Sequence, residues 1–150
     1  MSVIGPGVPR TVPRGQATLS APVSLSPAVA DTYEAVPGTW SDGNAYKFST
    51  SAAGVLTYMG SSNRAFLFSG SSDLSVAIAD MVTYALFVNG VLAPGAETPH
   101  IFTAPAKTEN IAITAIITLD YGDTLQVFAK SLAGNQIDVK TLRITAWGDV

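Results

Sequence analysis

Few residues in this chain are equipped for chemistry. His100, in ETPHIFTAP, is the one histidine, so any Ser-His-Asp relay would have to pass through it and a multi-histidine metal site cannot form. Asp120 and Asp123, in LDYGDT, could be imagined as the acid and base of a glycosidase, which needs two carboxyls about 5–9 Å apart. They also flank a tight turn, where Asp ordinarily bonds nearby backbone amides, and the turn is the stronger reading. Cysteine is absent, which removes disulfides, thiolate nucleophiles and cysteine-ligated metals together. Asp42 and Asn44 in SDGN, like Asp73 and Asp80 in SGSSDLSVAIAD, do not reproduce the ligand spacing of an EF-hand loop. No glycine-rich loop leads into a helix that could hold phosphate. The expectation is a chain without catalytic residues, cofactor or metal. Tyr46, Tyr58, Tyr121, Trp40 and Trp147 could stack on a sugar, which keeps a cell-surface glycan among the candidate partners, although both tryptophans read better as core or interface residues.

The elements that would position these residues are short, β-prone runs separated by turn residues. Candidate strands cover 32–36, 45–49, 54–58, 64–69, 74–79, 83–88, 100–103, 110–119, 124–131 and 137–147. Turn signals lie between them, among them Gly70-Ser71-Ser72-Asp73, Ala93-Pro94-Gly95 and Tyr121-Gly122-Asp123. The sharpest is Asn89-Gly90, because a type I′ hairpin turn needs φ > 0 at both central residues. No apolar helical period extends beyond two turns. Strands at this spacing predict an all-β, antiparallel jelly-roll sandwich. In the last strand Ile137 and Val139 share a parity that Leu142 and Ile144 do not, so a bulge or bend is expected near Lys140 and Thr141.

The first 30 residues differ in texture. They hold five of the nine prolines, no acidic residue, and the repeat VPRTVPR. Proline fixes φ and removes a backbone donor, so residues 1–30 are expected to form an extended docking arm, with Val8, Pro9, Arg10, Val12, Pro13 and Arg14 as its contact residues and residues 31–150 as the sandwich. The chain is 47% hydrophobic and only 13% charged, about half the usual charged fraction, so apolar surface is expected to remain outside the core. No apolar run reaches the roughly 18 residues of a membrane span, which directs that surface toward other protein copies rather than lipid. A net charge of −3 argues against nucleic acid. MSVIGPGVPR lacks the pattern of a cleaved signal peptide, so synthesis without export is expected. In NIAITAIITL and TYALFV neither strand face is charged, which implies that an outer sheet face is covered as well, as a homotrimer would do.

The succession GVLTYMGSSNRAFLFSG, LSVAIAD, ALFVNGVLAPG, IAITAIITLDYGDTLQVFAKS and VKTLRITAWGD resembles small jelly-roll proteins of tailed-phage virions, similar in fold to the trimeric complement-globular-head and tumour-necrosis-factor domains. Residues 64–69, Asn89-Gly90 and the DYGDT turn carry the resemblance, which covers about residues 45–148 and not the arm. It implies a homotrimer with the last strand near the axis, located in a virion assembled in the host cytoplasm. The interface residues expected on this basis are Ile116, Phe87, Ile144 and Trp147. The function expected is that of a structural subunit, a capsid decoration or cement protein whose arm docks on the major capsid protein or another virion subunit. A receptor-binding tip of a tail or head fibre is the first alternative. A small glycan-active enzyme using Asp120 and Asp123 is the second.

Overall fold

A computed structural model describes residues 12–61 and 63–148. Its described residues form twelve strands and no helix: β1 (Arg14–Leu19), β2 (Val23–Leu25), β3 (Glu34–Ala35), β4 (Trp40–Asp42), β5 (Phe48–Thr50), β6 (Leu56–Tyr58), β7 (Arg64–Val76), β8 (Asp80–Val88), β9 (Val91–Phe102), β10 (Glu109–Leu119), β11 (Thr124–Ser131) and β12 (Ile137–Gly148). They build two antiparallel sheets. Sheet A runs β10-β7-β12-β1-β4, with β2 also on β12; sheet B runs β5-β6-β11-β8-β9, with β3 also on β11. This is an antiparallel jelly-roll sandwich, as the strand and turn pattern predicted.

Alternation explains the core. In β10, Ile111, Ile113, Ala115, Ile117 and Leu119 are buried while Ala112, Thr114, Ile116 and Thr118 face out, the division read from the sequence. Facing residues of sheet B are Val82, Tyr84 and Leu86 on β8 and Leu125, Val127 and Ala129 on β11, all buried. An aromatic knot closes one end: Phe66 meets Phe48 at 5.0 Å and Tyr58 at 4.9 Å between ring centroids, both edge-on.

Three expectations change. The Gly70-Ser71-Ser72-Asp73 turn does not form; residues 64–69 and 74–76 belong to one long strand, β7, paired without a break along β10. Ser72 is held inside the sandwich by hydrogen bonds to Tyr84 and Thr141, and a side chain at Gly70 would collide with the Arg143 carbonyl on β12, so these small residues serve close strand packing. Ala93-Pro94-Gly95 likewise lies within β9, at a register shift where pairing steps from Ala85↔Glu97 to Phe87↔Leu92. Finally, part of the proposed 1–30 arm is sandwich. Arg14–Leu19 alternates half-buried and buried residues and pairs with both β12 and β4, because Gln16 to Leu19 is a proline-free alternating run. The break in β12 falls between Val139 and Thr141, where the parity change placed it, and Asn89 and Gly90 adopt φ of 51° and 78°.

Candidate functional site: the outer face of sheet A

Register brings four side chains from four strands into one row. Ile116 on β10 pairs with Leu67 on β7, Leu67 with Trp147 on β12, and Trp147 with Arg14 on β1. Ile116 is 62% exposed and Trp147 52%, and Leu67 between them is half-buried. The next rows read Thr114, Ser69, Thr145, Gln16 and then Ala112, Ser71, Arg143, Thr18. Across these three rows there is no carboxylate. The two cations have none among the described residues either: Arg14 Nε donates to Asn44 Oδ1 at 2.8 Å, and Arg143 makes no ion pair. Of the acids bordering these rows, Asp42 lies exposed on the edge strand β4, paired with Ala17, while Asp73 accepts from Asn110 Nδ2 at 2.9 Å and Asp138 from Ser24 Oγ at 2.7 Å and Gln136 Nε2 at 2.8 Å. Those two bonds hold the Asp138 carboxyl below its ordinary value, against a smaller effect of burial.

Ile116 also borders a groove of about 430 Å³ between β9 and β10, the edge strands of the two sheets, lined by Val88, Val91, Leu92, Ala93 and Pro94 as well. None of these lining residues is charged, so the apolar row on sheet A continues into an apolar cleft at the side of the sandwich.

Of the expected interface residues, Ile116 and Trp147 therefore share a surface. The other two do not join them. Ile144 is 0% exposed; after the β12 bulge its parity points inward, so it belongs to the protomer's own core. Phe87 lies on the outer face of sheet B, stacked on Phe128 with centroids 4.0 Å apart and met edge-on by Tyr33 at 5.4 Å. Lys130 sits over the Tyr33 ring and pairs with Asp31 at 3.1 Å. Leu67 was missed, because its partners in the row are set by register between distant strands, which spacing within one strand does not reveal.

The expected docking residues divide as well. Val8, Pro9 and Arg10 lie outside the described residues. Val12 and Pro13 lead directly into β1, Pro13 is buried, and its carbonyl accepts from Gly148 N at 2.9 Å. Arg14 bridges Tyr46 through backbone bonds in both directions, at 2.9 and 2.8 Å. These three are integral to the fold rather than part of a free arm.

The residues that raised chemical possibilities are occupied structurally. His100 Nε2 lies 3.3 Å from Glu109 Oε1, tying β9 to β10, with its ring edge-on to Phe102. Asp123 accepts from Asp120 N at 2.8 Å and Asn89 Nδ2 at 2.9 Å, and Asp120 accepts from Asn63 Nδ2 at 3.0 Å; the first carboxylate closes the turn and the second ties it to the residue just before β7. Asp80 accepts from Ser131 Oγ, Met81 N, Ala133 N and Asn135 Nδ2. Burial works to raise its pKa, and these hydrogen bonds outweigh burial and hold it below the ordinary carboxylate value. Among the described residues no group of three or more His, Asp or Glu is placed to hold a metal ion.

No protein-family model matches the chain, and no curated protein does. Solved structures do. A TNF from S. frugiperda, Eiger, aligns at a TM-score of 0.62 with 15% identity over 94% of each chain. Murine APRIL aligns at 0.56 with 11% identity, over 91% of this chain and 99% of its own. At such identities the likeness is one of architecture: the chain has the TNF-like jelly-roll fold.

Proposed function

We propose that this protein is a structural, non-enzymatic subunit that works as a homotrimer, with the outer face of sheet A turned toward its own copies. The observation that carries this reading is the exposed row Ile116, Leu67 and Trp147 on a face whose central rows have no carboxylate. Fully covering a side chain the size of Ile116 contributes about 2 kcal/mol, and a specific interface needs roughly 1,000 Å² or more, an area within reach of a sheet face but not of the row alone. The resemblance to trimeric heads supplies the number of copies.

The setting we propose is a virion, with the protein decorating a capsid. It is supported by the sequence resemblance and by the proline- and arginine-bearing segment before Val12, which is left to grip a coat subunit once Val12, Pro13 and Arg14 are assigned to the fold. Sedimentation equilibrium tests the first part: the wild type should show trimer mass and Leu67→Asp monomer mass, and a wild-type monomer at high concentration would refute it. Deleting residues 2–11, which spares β1, tests the second: particle binding should be lost while the trimer persists. Retained binding would remove the docking role. A receptor-binding tip is favoured by one observation, Tyr121, which is 71% exposed at the β10–β11 turn; glycan binding that disappears in Tyr121→Ala would favour that reading.

A further inference from the structure

Two turns at one end of the sandwich are joined through a single amide. Asn89 Nδ2 donates to Asp123 Oδ1 at 2.9 Å. Its Oδ1 accepts from Thr124 N at 3.0 Å and Thr124 Oγ1 at 3.3 Å, and the Asn89 backbone N–H donates to Thr124 O at 3.0 Å. Asn89 is also the one asparagine followed by glycine in the sequence, the pairing in which no side chain shields the following backbone nitrogen. The turn is open there as well: a Cβ added at Gly90 would meet no atom within 4 Å beyond its two chain neighbours.

We propose that Asn89 is a site of spontaneous deamidation governed by this interlock: the closed turns protect the amide, and their opening exposes it to reaction. In the step, the Gly90 backbone nitrogen gives its proton to solvent base and bonds to Asn89 Cγ. The Cγ–Nδ2 bond breaks, and Nδ2 takes a proton from water and leaves as ammonia. A second water then opens the cyclic imide at either carbonyl, giving aspartate or isoaspartate at position 89, with no change of oxidation state. While the turns are closed, both ends of the amide are engaged, so Cγ cannot swing to Gly90 N without breaking the bonds to Asp123 and Thr124.

The product does not fit the interlock. A carboxylate at position 89 faces Asp123 Oδ1 where the amide had donated, so a like-charge pair replaces a hydrogen bond. Position 89 also adjoins Val88, one of the residues lining the β9–β10 groove. Each opening of this end therefore carries a chance of a permanent mark that resists reclosure.

The test is peptide mapping by mass spectrometry, with enzymatic isoaspartate detection, after incubation of the whole protein in mildly alkaline buffer with and without denaturant. Conversion at Asn89 should be at least about tenfold slower in the folded protein than in the unfolded one, because reaction is confined to the open fraction. Asp123→Ala, which removes the acceptor, should speed the folded-state reaction roughly tenfold, and Gly90→Ala should slow it in both states. Equal folded and unfolded rates in the wild type overturn the proposal, and that comparison decides even if Asp123→Ala does not fold. A folded Asp123→Ala with the wild-type rate overturns it too. Asn89→Asp, the product mimic, should melt below Asn89→Ala; a melting temperature equal to or above that of Asn89→Ala refutes the repulsion.

Discussion

Ser72 Oγ links three strands inside the sandwich: it donates to Thr141 O at 2.7 Å on β12, and Tyr84 Oη on β8 lies 2.7 Å away as the remaining donor. Both side chains are fully buried, so the two ways of cutting the link differ in cost. Tyr84→Phe removes a donor and leaves Ser72 bonded, an expected loss of about 1 kcal/mol, whereas Ser72→Ala strands a buried hydroxyl and should cost roughly 1–3 kcal/mol; urea unfolding of the two variants checks the order. Burial raises the Tyr84 phenol well above its ordinary 10.0. A raised pKa means that the folded state holds the proton more tightly, so this contribution is whole below about pH 10 and declines as pH rises further. Above that pH the wild type should lose stability relative to Tyr84→Phe. Asp80 has the opposite sign: its lowered pKa contributes stability above roughly pH 4 that is lost on acidification. Asp80→Ala, which removes the acceptor of the Met81 and Ala133 amides and of the Ser131 and Asn135 side chains, should cost roughly 2 kcal/mol at neutral pH and flatten the acid limb of a stability-against-pH profile.

Strands were legible where alternation was clean and turn chemistry was exposed. β10 and β11 emerged from the sequence almost to the residue, the Asn89-Gly90 turn formed with left-handed φ at both positions, and the β12 bulge followed from a parity change that only a register break can reconcile with one buried face. The misread segments share a cause. Gly70-Ser71-Ser72-Asp73 has turn composition, yet its small residues are selected by the approach of β12 and by the Tyr84 hydroxyl, which are distant in sequence. The early prolines suggested an arm, while the β1 strand between them has its own alternation and two pairing neighbours. Tertiary packing overrides local composition in both places. Gly70→Val is the corresponding test: forced against the Arg143 carbonyl, it should destabilise the protein by about 1–3 kcal/mol by thermal melting.

For the molecule as a whole, surface and core separate stability from association. Ile144 lies within the protomer and Ile116 on its face, so Ile144→Ala should cost about 2–5 kcal/mol in unfolding, and Ile116→Asp should leave the monomer fold intact while lowering the sedimenting mass. The candidate site was half legible from sequence: neutral outer faces announced a covered surface, but which face, and that Phe87 and Trp147 lie on opposite sheets, depends on sheet order. The two tryptophans extend this division into a measurable signal. Trp40 is 5% exposed, its indole N–H has no partner among the described residues, and Gly54 lies against its ring; Trp147 stands half in solvent. Their emission should therefore be resolvable, with a blue component from Trp40 that survives dilution and a red, acrylamide-quenchable component from Trp147 that shifts only when copies meet, so a single fluorescence titration can follow folding and assembly separately.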